Sequence, residues 1–150
     1  MEFNVLSAKG DVKQKRWEEI ISHHPKIVLY FYPKDNTPGC STEAKEFSAL
    51  AKEFEKLGWK VIGVSKDSIE SHKKFKEKLN ITIPLISDPD LYLHKNFWAW
   101  GTKKRFGKEV EGTIRSTFLI KDWEIIKQRK NVRAAWHAQK VLDYIKKEGI

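Results

Sequence analysis

The chain has 150 residues, 40% hydrophobic and 33% charged, with a net charge of +9. That length suffices to bury a core without disulfides or a structural metal, and no apolar run approaches the roughly 18 residues that span a bilayer, which excludes a membrane-inserted helix. One cysteine excludes an internal disulfide, so Cys40 is either inert packing or a reactive thiol in a reducing compartment.

Met1 to Lys9 lacks the basic, apolar and small-residue succession of a secretory signal, so a cytoplasmic protein is expected. No repeat, low-complexity tract or linker interrupts 1–150, which predicts one domain. The first clear element is Ile27 to Tyr32, a β-branched and aromatic run suited to a strand buried on both faces. It stops at Pro33. After the turn-rich stretch Asp35 to Gly39, Ala44, Phe47, Leu50, Ala51, Phe54 and Leu57 form one stripe of an amphipathic helix that Gly58 ends. A second strand, Val61 to Ser65, leads through Asp67 or Ser68 as N-cap into a Lys-rich helix with Ile69, Phe75 and Leu79 facing inward. Two βα units in series predict parallel strands joined by a right-handed crossover.

A short strand at Leu85 and Ile86 precedes a turn at Ser87 to Asp90 and a brief helix over Leu91 to Phe97. Thr117 to Ile120 and Ile125 to Val132 read as an antiparallel hairpin turning at Lys121 to Trp123. A final helix, Ala134 to Lys147, presents Ala138, Val141, Leu142 and Ile145 inward. The sum is an α/β fold, a mixed sheet sandwiched by helices in thioredoxin-like order.

Cys40 stands where a buried strand has ended and a helix begins. Backbone N–H groups are unpaired there and the helix dipole is positive, which favours a thiolate, the nucleophilic form of the thiol. Pro38 suits an early helical position, and Gly39 lets a substrate approach the backbone.

The segment Tyr32-Pro33-Lys34-Asp35-Asn36-Thr37-Pro38-Gly39-Cys40 contains Pro-x-x-x-Thr-x-x-Cys. It resembles the active-site loop of the peroxiredoxins, and its wording resembles the bacterioferritin comigratory protein, or PrxQ, branch. Gly112 to Ile120, Gly63-Val64-Ser65 with Asp67, Ser87-Asp88-Pro89 and Trp100-Gly101 extend the likeness over nearly the whole chain from Ile27 onward. It implies a thiol-dependent peroxidase in which Cys40 attacks the O–O bond of hydrogen peroxide or an alkyl hydroperoxide, without a cofactor. It further implies that Arg115 reaches Cys40, that Thr37 hydrogen-bonds sulfur and peroxide, and that Pro33 shields the pocket from water. Backbone N–H groups of Gly39 and Cys40 would hold the peroxide, and Glu43 would anchor Arg115 or favour the helix N-terminus by its charge. Many members carry a resolving cysteine five residues after the first, where Lys45 stands, and others carry it on the next helix; this chain has no second cysteine. The sulfenic acid must then be reduced from outside, by thioredoxin, glutaredoxin, glutathione or a similar thiol. This branch is often monomeric or dimeric.

Two other classes stay open at this point. One is a peroxide sensor or redox adaptor that forms mixed disulfides with client proteins. The other is a basic binding module, since basic residues gather at Lys103, Lys104, Arg105 and Lys108 and at Lys127, Arg129, Lys130 and Arg133. Elsewhere Lys alternates with Glu along helical faces, the pattern of a solvated surface rather than a nucleic-acid footprint. The five histidines give no metal case: His23 and His24 read as a solvated loop, and His72, His94 and His137 are scattered. Trp98, Trp100 and Trp136 read as core and pocket wall.

Overall fold

The computed structural model describes residues 1–150, apart from the side chain of Arg105. At its centre the strand β3 (Lys26–Phe31) is buried from Ile27 onward, as its unbroken β-branched and aromatic run requires. It pairs in parallel with β4 (Lys60–Ser65) and antiparallel with β8 (Ser116–Lys121). β5 (Leu85–Ser87) continues the sheet in parallel beside β4. β1 (Glu2–Leu6) and β2 (Val12–Arg16) extend one side and β9 (Glu124–Lys130) the other, giving seven strands in the order β2-β1-β5-β4-β3-β8-β9. Both edges, β2 and β9, are dense in Lys and Arg, which blunts pairing with another chain.

The pleat sorts the core into two layers. Val28 and Tyr30 face Phe47 and Phe54 of α2 (Pro38–Lys56), Phe75 of α3 (Ile69–Leu79) and Val141, Leu142 and Ile145 of α5 (His137–Glu148). Ile27, Leu29 and Phe31 face Ile20 of α1 (Trp17–His23) and Leu93 of α4 (Tyr92–Asn96). Phe47 and Phe54 are wholly buried, and each contributes on the order of 2 kcal/mol by leaving water. The mixed sheet between two helical layers is the α/β arrangement predicted from the order of elements.

The differences lie at the start of the chain and in the basic loop. β1, β2 and α1 were not expected, because β2 is exposed along nearly all its length and carries no alternation to read. Residues 100–113 form a hairpin, β6 (Trp100–Arg105) and β7 (Lys108–Thr113), turning at Phe106 and Gly107, both with positive φ. Arg105, part of the basic cluster named above, has its side chain outside the described residues. The N-cap of α3 is Ser68, whose Oγ accepts from Ser71 N–H at 3.2 Å. α5 starts at His137 rather than Ala134, because Trp136 takes a left-handed conformation at φ 64°. Trp98 and Trp136 are not core: they are 75% and 72% exposed. Trp100 is half-buried and packs edge-on against His94. Among the described residues no helix is long and apolar enough to cross a membrane.

Candidate active site

Three segments converge where β3 ends. Tyr32 N–H still pairs with the Val64 carbonyl at 3.0 Å, after which Pro33 turns the chain away from the sheet. Thr37 is the N-cap of α2 and Pro38 fills its first position, where a missing N–H costs nothing. The first intrahelical bond runs from Ser41 N–H to the Thr37 carbonyl at 2.8 Å. The amides of Gly39 and Cys40 therefore precede the helical ladder, and the Thr37 side chain does not cap them. Its hydroxyl instead donates to the Lys34 carbonyl at 2.7 Å, holding the turn. That hydroxyl retains lone pairs that can accept a hydrogen bond from a bound ligand.

Cys40 lies in this first turn, 1% exposed and free of any disulfide. Arg115, between β7 and β8, reaches it from across the fold. Its Nη2 donates to Cys40 Sγ at 3.3 Å and its Nη1 to Glu43 Oε1 at 2.5 Å. Glu43 is on the same face of α2 as Cys40 because it is three residues further along the helix. The Arg115 backbone is fixed as well, its carbonyl accepting from Val132 N–H at 3.0 Å. Gly39 makes room for this arrangement: a Cβ there would stand 3.2 Å from Arg115 Nη2 and 3.6 Å from Ala134 Cβ.

Glu43 is completely buried, and its Oε2 has no hydrogen bond among the described residues. Burial pushes its carboxyl up to about 7, against the opposing pull of Arg115. For Arg115, burial acts downward, but Glu43 and Cys40 outweigh it and raise its pKa. Glu43 therefore meets the pocket only through Arg115 and does not line it. Pro33, Lys34, Thr37, Gly39, Cys40, Lys103, Lys104 and Arg115 do, around an open cavity of about 490 Å³.

The structure also brings in residues that the sequence reading passed over. Asp35 fastens the loop before Cys40 onto α3. Its carboxylate accepts from Tyr32 Oη at 2.7 Å and Ser71 Oγ at 2.8 Å, and meets His72 Nδ1 at 2.7 Å. Its N–H donates to Asp67 Oδ2 at 2.8 Å. A matching buried pair, His94 Nδ1 and Asp88 Oδ2 at 2.7 Å, ties α4 to the start of its own turn. His137 lies 2.6 Å from Thr117 Oγ1, two residues after Arg115. Burial lowers its pKa to about 4, with Arg129, Arg115 and Lys140 adding to the effect. These three histidines, scattered in the sequence, are buried structural partners in the core. No periodicity marks them, since each pairs with a residue that only the fold brings near. Among the described residues, no group of three or more His, Cys, Asp or Glu could hold a metal ion.

The AhpC/TSA family profile matches residues 2–129. Peroxiredoxin Bcp of Bacillus subtilis is 48% identical over 121 residues, covering 80% of this chain and 77% of that protein. Peroxiredoxin Bcp of Xanthomonas campestris is 45% identical over 121 residues, with 80% and 76% covered. Among solved structures, the bacterioferritin comigratory protein of Xanthomonas campestris, studied for its alkyl peroxide reduction activity, superposes with a TM-score of 0.85 at 36% identity. It covers all of this chain and 92% of its own. A cysteine variant of Xylella fastidiosa PrxQ gives a TM-score of 0.86 at 38% identity, with 100% and 90% covered.

Proposed function

Because the chain belongs to the AhpC/TSA family and is a peroxiredoxin of the Bcp or PrxQ branch, a thiol-dependent peroxidase, we propose that Cys40 is its peroxidatic residue in a one-cysteine cycle. The observation that carries this reading is the hydrogen bond from the Arg115 guanidinium to the sulfur of the only cysteine in the chain.

In the first half of the cycle the Cys40 thiolate attacks the terminal oxygen of a hydroperoxide. The S–O bond forms as the O–O bond breaks, the leaving alkoxide or hydroxide takes a proton, and Cys40 becomes a sulfenic acid. Arg115 holds a fixed positive charge against the thiolate and orients the peroxide oxygens. Gly39 and Cys40 supply the two amides that lack helical acceptors, and Thr37 accepts the peroxide O–H with its hydroxyl oxygen. Pro33 keeps water from one side of the pocket. Glu43 is a positioning residue that holds Arg115 in register.

In the second half an external thiol displaces water from the sulfenic acid to give a mixed disulfide, and a second thiol releases Cys40. Thioredoxin, glutaredoxin or glutathione fits this role in a cytoplasmic monomer or dimer. Without a neighbouring cysteine to trap it, the sulfenic acid is open to further oxidation to sulfinic acid.

Mass spectrometry of Cys40 after one equivalent of hydrogen peroxide, with and without thioredoxin or glutathione, tests both halves. The expected products are one added oxygen without thiol and the free thiol with it. Peroxide consumption that survives Cys40→Ser would sink the assignment.

A further inference from the structure

A one-cysteine cycle needs a second molecule to reach Cys40, and the surface around the pocket has a definite chemical character. Eight residues line the opening; four are cationic or carry a cation, Lys34, Lys103, Lys104 and Arg115, and none is acidic. They come from three separate segments, the loop before α2, the hairpin arm β6 and the connection between β7 and β8, so the cluster is built by the fold and not by a run in the sequence. Arg115 is already committed to Glu43 and Cys40, and Lys103 donates to the Thr113 carbonyl at 2.9 Å. The excess positive field at the mouth comes from the lysines.

A second, independent feature lies beside it. Ala134 packs next to Gly39, and two residues on Trp136 is 72% exposed in a left-handed backbone conformation, φ 64°. A bulky side chain pays for that conformation in strain, and here burial within this chain gives little in return. The Trp136 backbone N–H donates to Glu46 Oε1 of α2 at 3.1 Å, which fixes this turn against the helix that carries Cys40, and exposed tryptophan is a residue type enriched in protein-binding hot spots.

We propose that this rim, with Trp136 as its apolar anchor, is the docking surface for the external reductant, and that the reductant is a protein thiol set in an acidic surface. The inference rests on the one-cysteine reading. Charge complementarity selects the partner, because opposite fields speed encounter and like fields suppress it. The chemistry is that of the second half-cycle: the partner thiolate attacks the Cys40 sulfenic sulfur, the S–O bond breaks, and water leaves. A second partner cysteine then breaks the mixed disulfide and carries away the two electrons as its own disulfide.

The experiment follows reduction of preformed Cys40 sulfenic acid by two synthetic Cys-x-x-Cys peptides, one flanked by Glu and one by Lys, with dithiothreitol as the uncharged reference. At low salt the Glu peptide should react about tenfold faster than the Lys peptide, and the ratio should approach one in molar salt. The double variant Lys34→Gln, Lys104→Gln should bring the ratio below about threefold at low salt. Trp136→Ala should slow the Glu peptide relative to dithiothreitol. Equal rates for the two peptides in the parent protein, or a ratio that persists in the double variant, would overturn the charge selection. A Trp136→Ala protein that slows peptide and dithiothreitol alike would remove the anchor. Failure to form the sulfenic acid at all would refute the peroxidase reading instead, so the two failures are distinguishable.

Discussion

Glu43 and His137 make opposed contributions to the pH dependence of stability, and removing either one should unmask the other. Glu43 titrates near 4.5 when unfolded and about 7 when folded. Between those values the folded state binds more protons than the unfolded one, so stability falls as pH rises. His137 titrates near 6.5 unfolded and about 4 folded. Between those values the unfolded state binds more protons, so stability rises with pH. From pH 4.5 to 6.5 both groups are in their active range, and at 1.36 kcal/mol per pKa unit each changes the unfolding free energy by about 2 kcal/mol in opposite directions. They nearly cancel in the parent protein. In Glu43→Gln, which keeps an acceptor for Arg115, stability should climb by about 2 kcal/mol more than in the parent over that interval. In His137→Gln it should fall by a similar amount relative to the parent. Urea unfolding followed by tryptophan fluorescence at half-unit pH steps reads both slopes. Curves for the two variants that run parallel to the parent would refute the argument, since they would mean that burial does not set these protonation states.

Two further predictions follow from packing around the site. Gly39→Ala puts a Cβ within 3.2 Å of the Arg115 guanidinium, so the rate of Cys40 oxidation should fall about tenfold, the effect of losing about 1.4 kcal/mol of transition-state stabilisation. Thermal stability should change by less than about 1 kcal/mol, because Gly39 lies in the first turn of α2, where the preference of alanine over glycine is smaller than in a helix interior; an unchanged oxidation rate would show that Arg115 does not need its present position. Asp35→Ala strands the Tyr32 hydroxyl, Ser71 hydroxyl and buried His72 ring that it joins, and should cost about 3–5 kcal/mol in denaturant unfolding. A loss below about 1 kcal/mol would mean the loop is fastened by other contacts.

How much of this was legible beforehand depends on the range of the interaction. The strand over Ile27 to Tyr32, the stripe of α2 and the inward face of α5 announce themselves through local periodicity, because burial of one face needs a repeating apolar pattern. So does the cysteine loop, whose Pro33, Thr37 and Cys40 are close in sequence. β2 was hidden for the same reason in reverse: as a charged edge strand it buries almost nothing. Trp98 and Trp136 were misread because aromatic residues are core by habit, and only the backbone turns at these positions leave them exposed.

Neighbouring residues and their period are enough to read β3, α2, β4, α3 and α5, the α/β class and the thiol at a helix start. The tertiary structure alone decided which groups surround that thiol. Glu43 and Arg115 are 72 residues apart in the chain and share a buried hydrogen bond; Asp35 and His72 are 37 apart; Lys34 and Lys104 meet at one pocket mouth from a loop and a hairpin. Such pairings arise from long-range burial, where an unpaired charge or polar group is costly and the partner that satisfies it is set by which surfaces the sheet brings together.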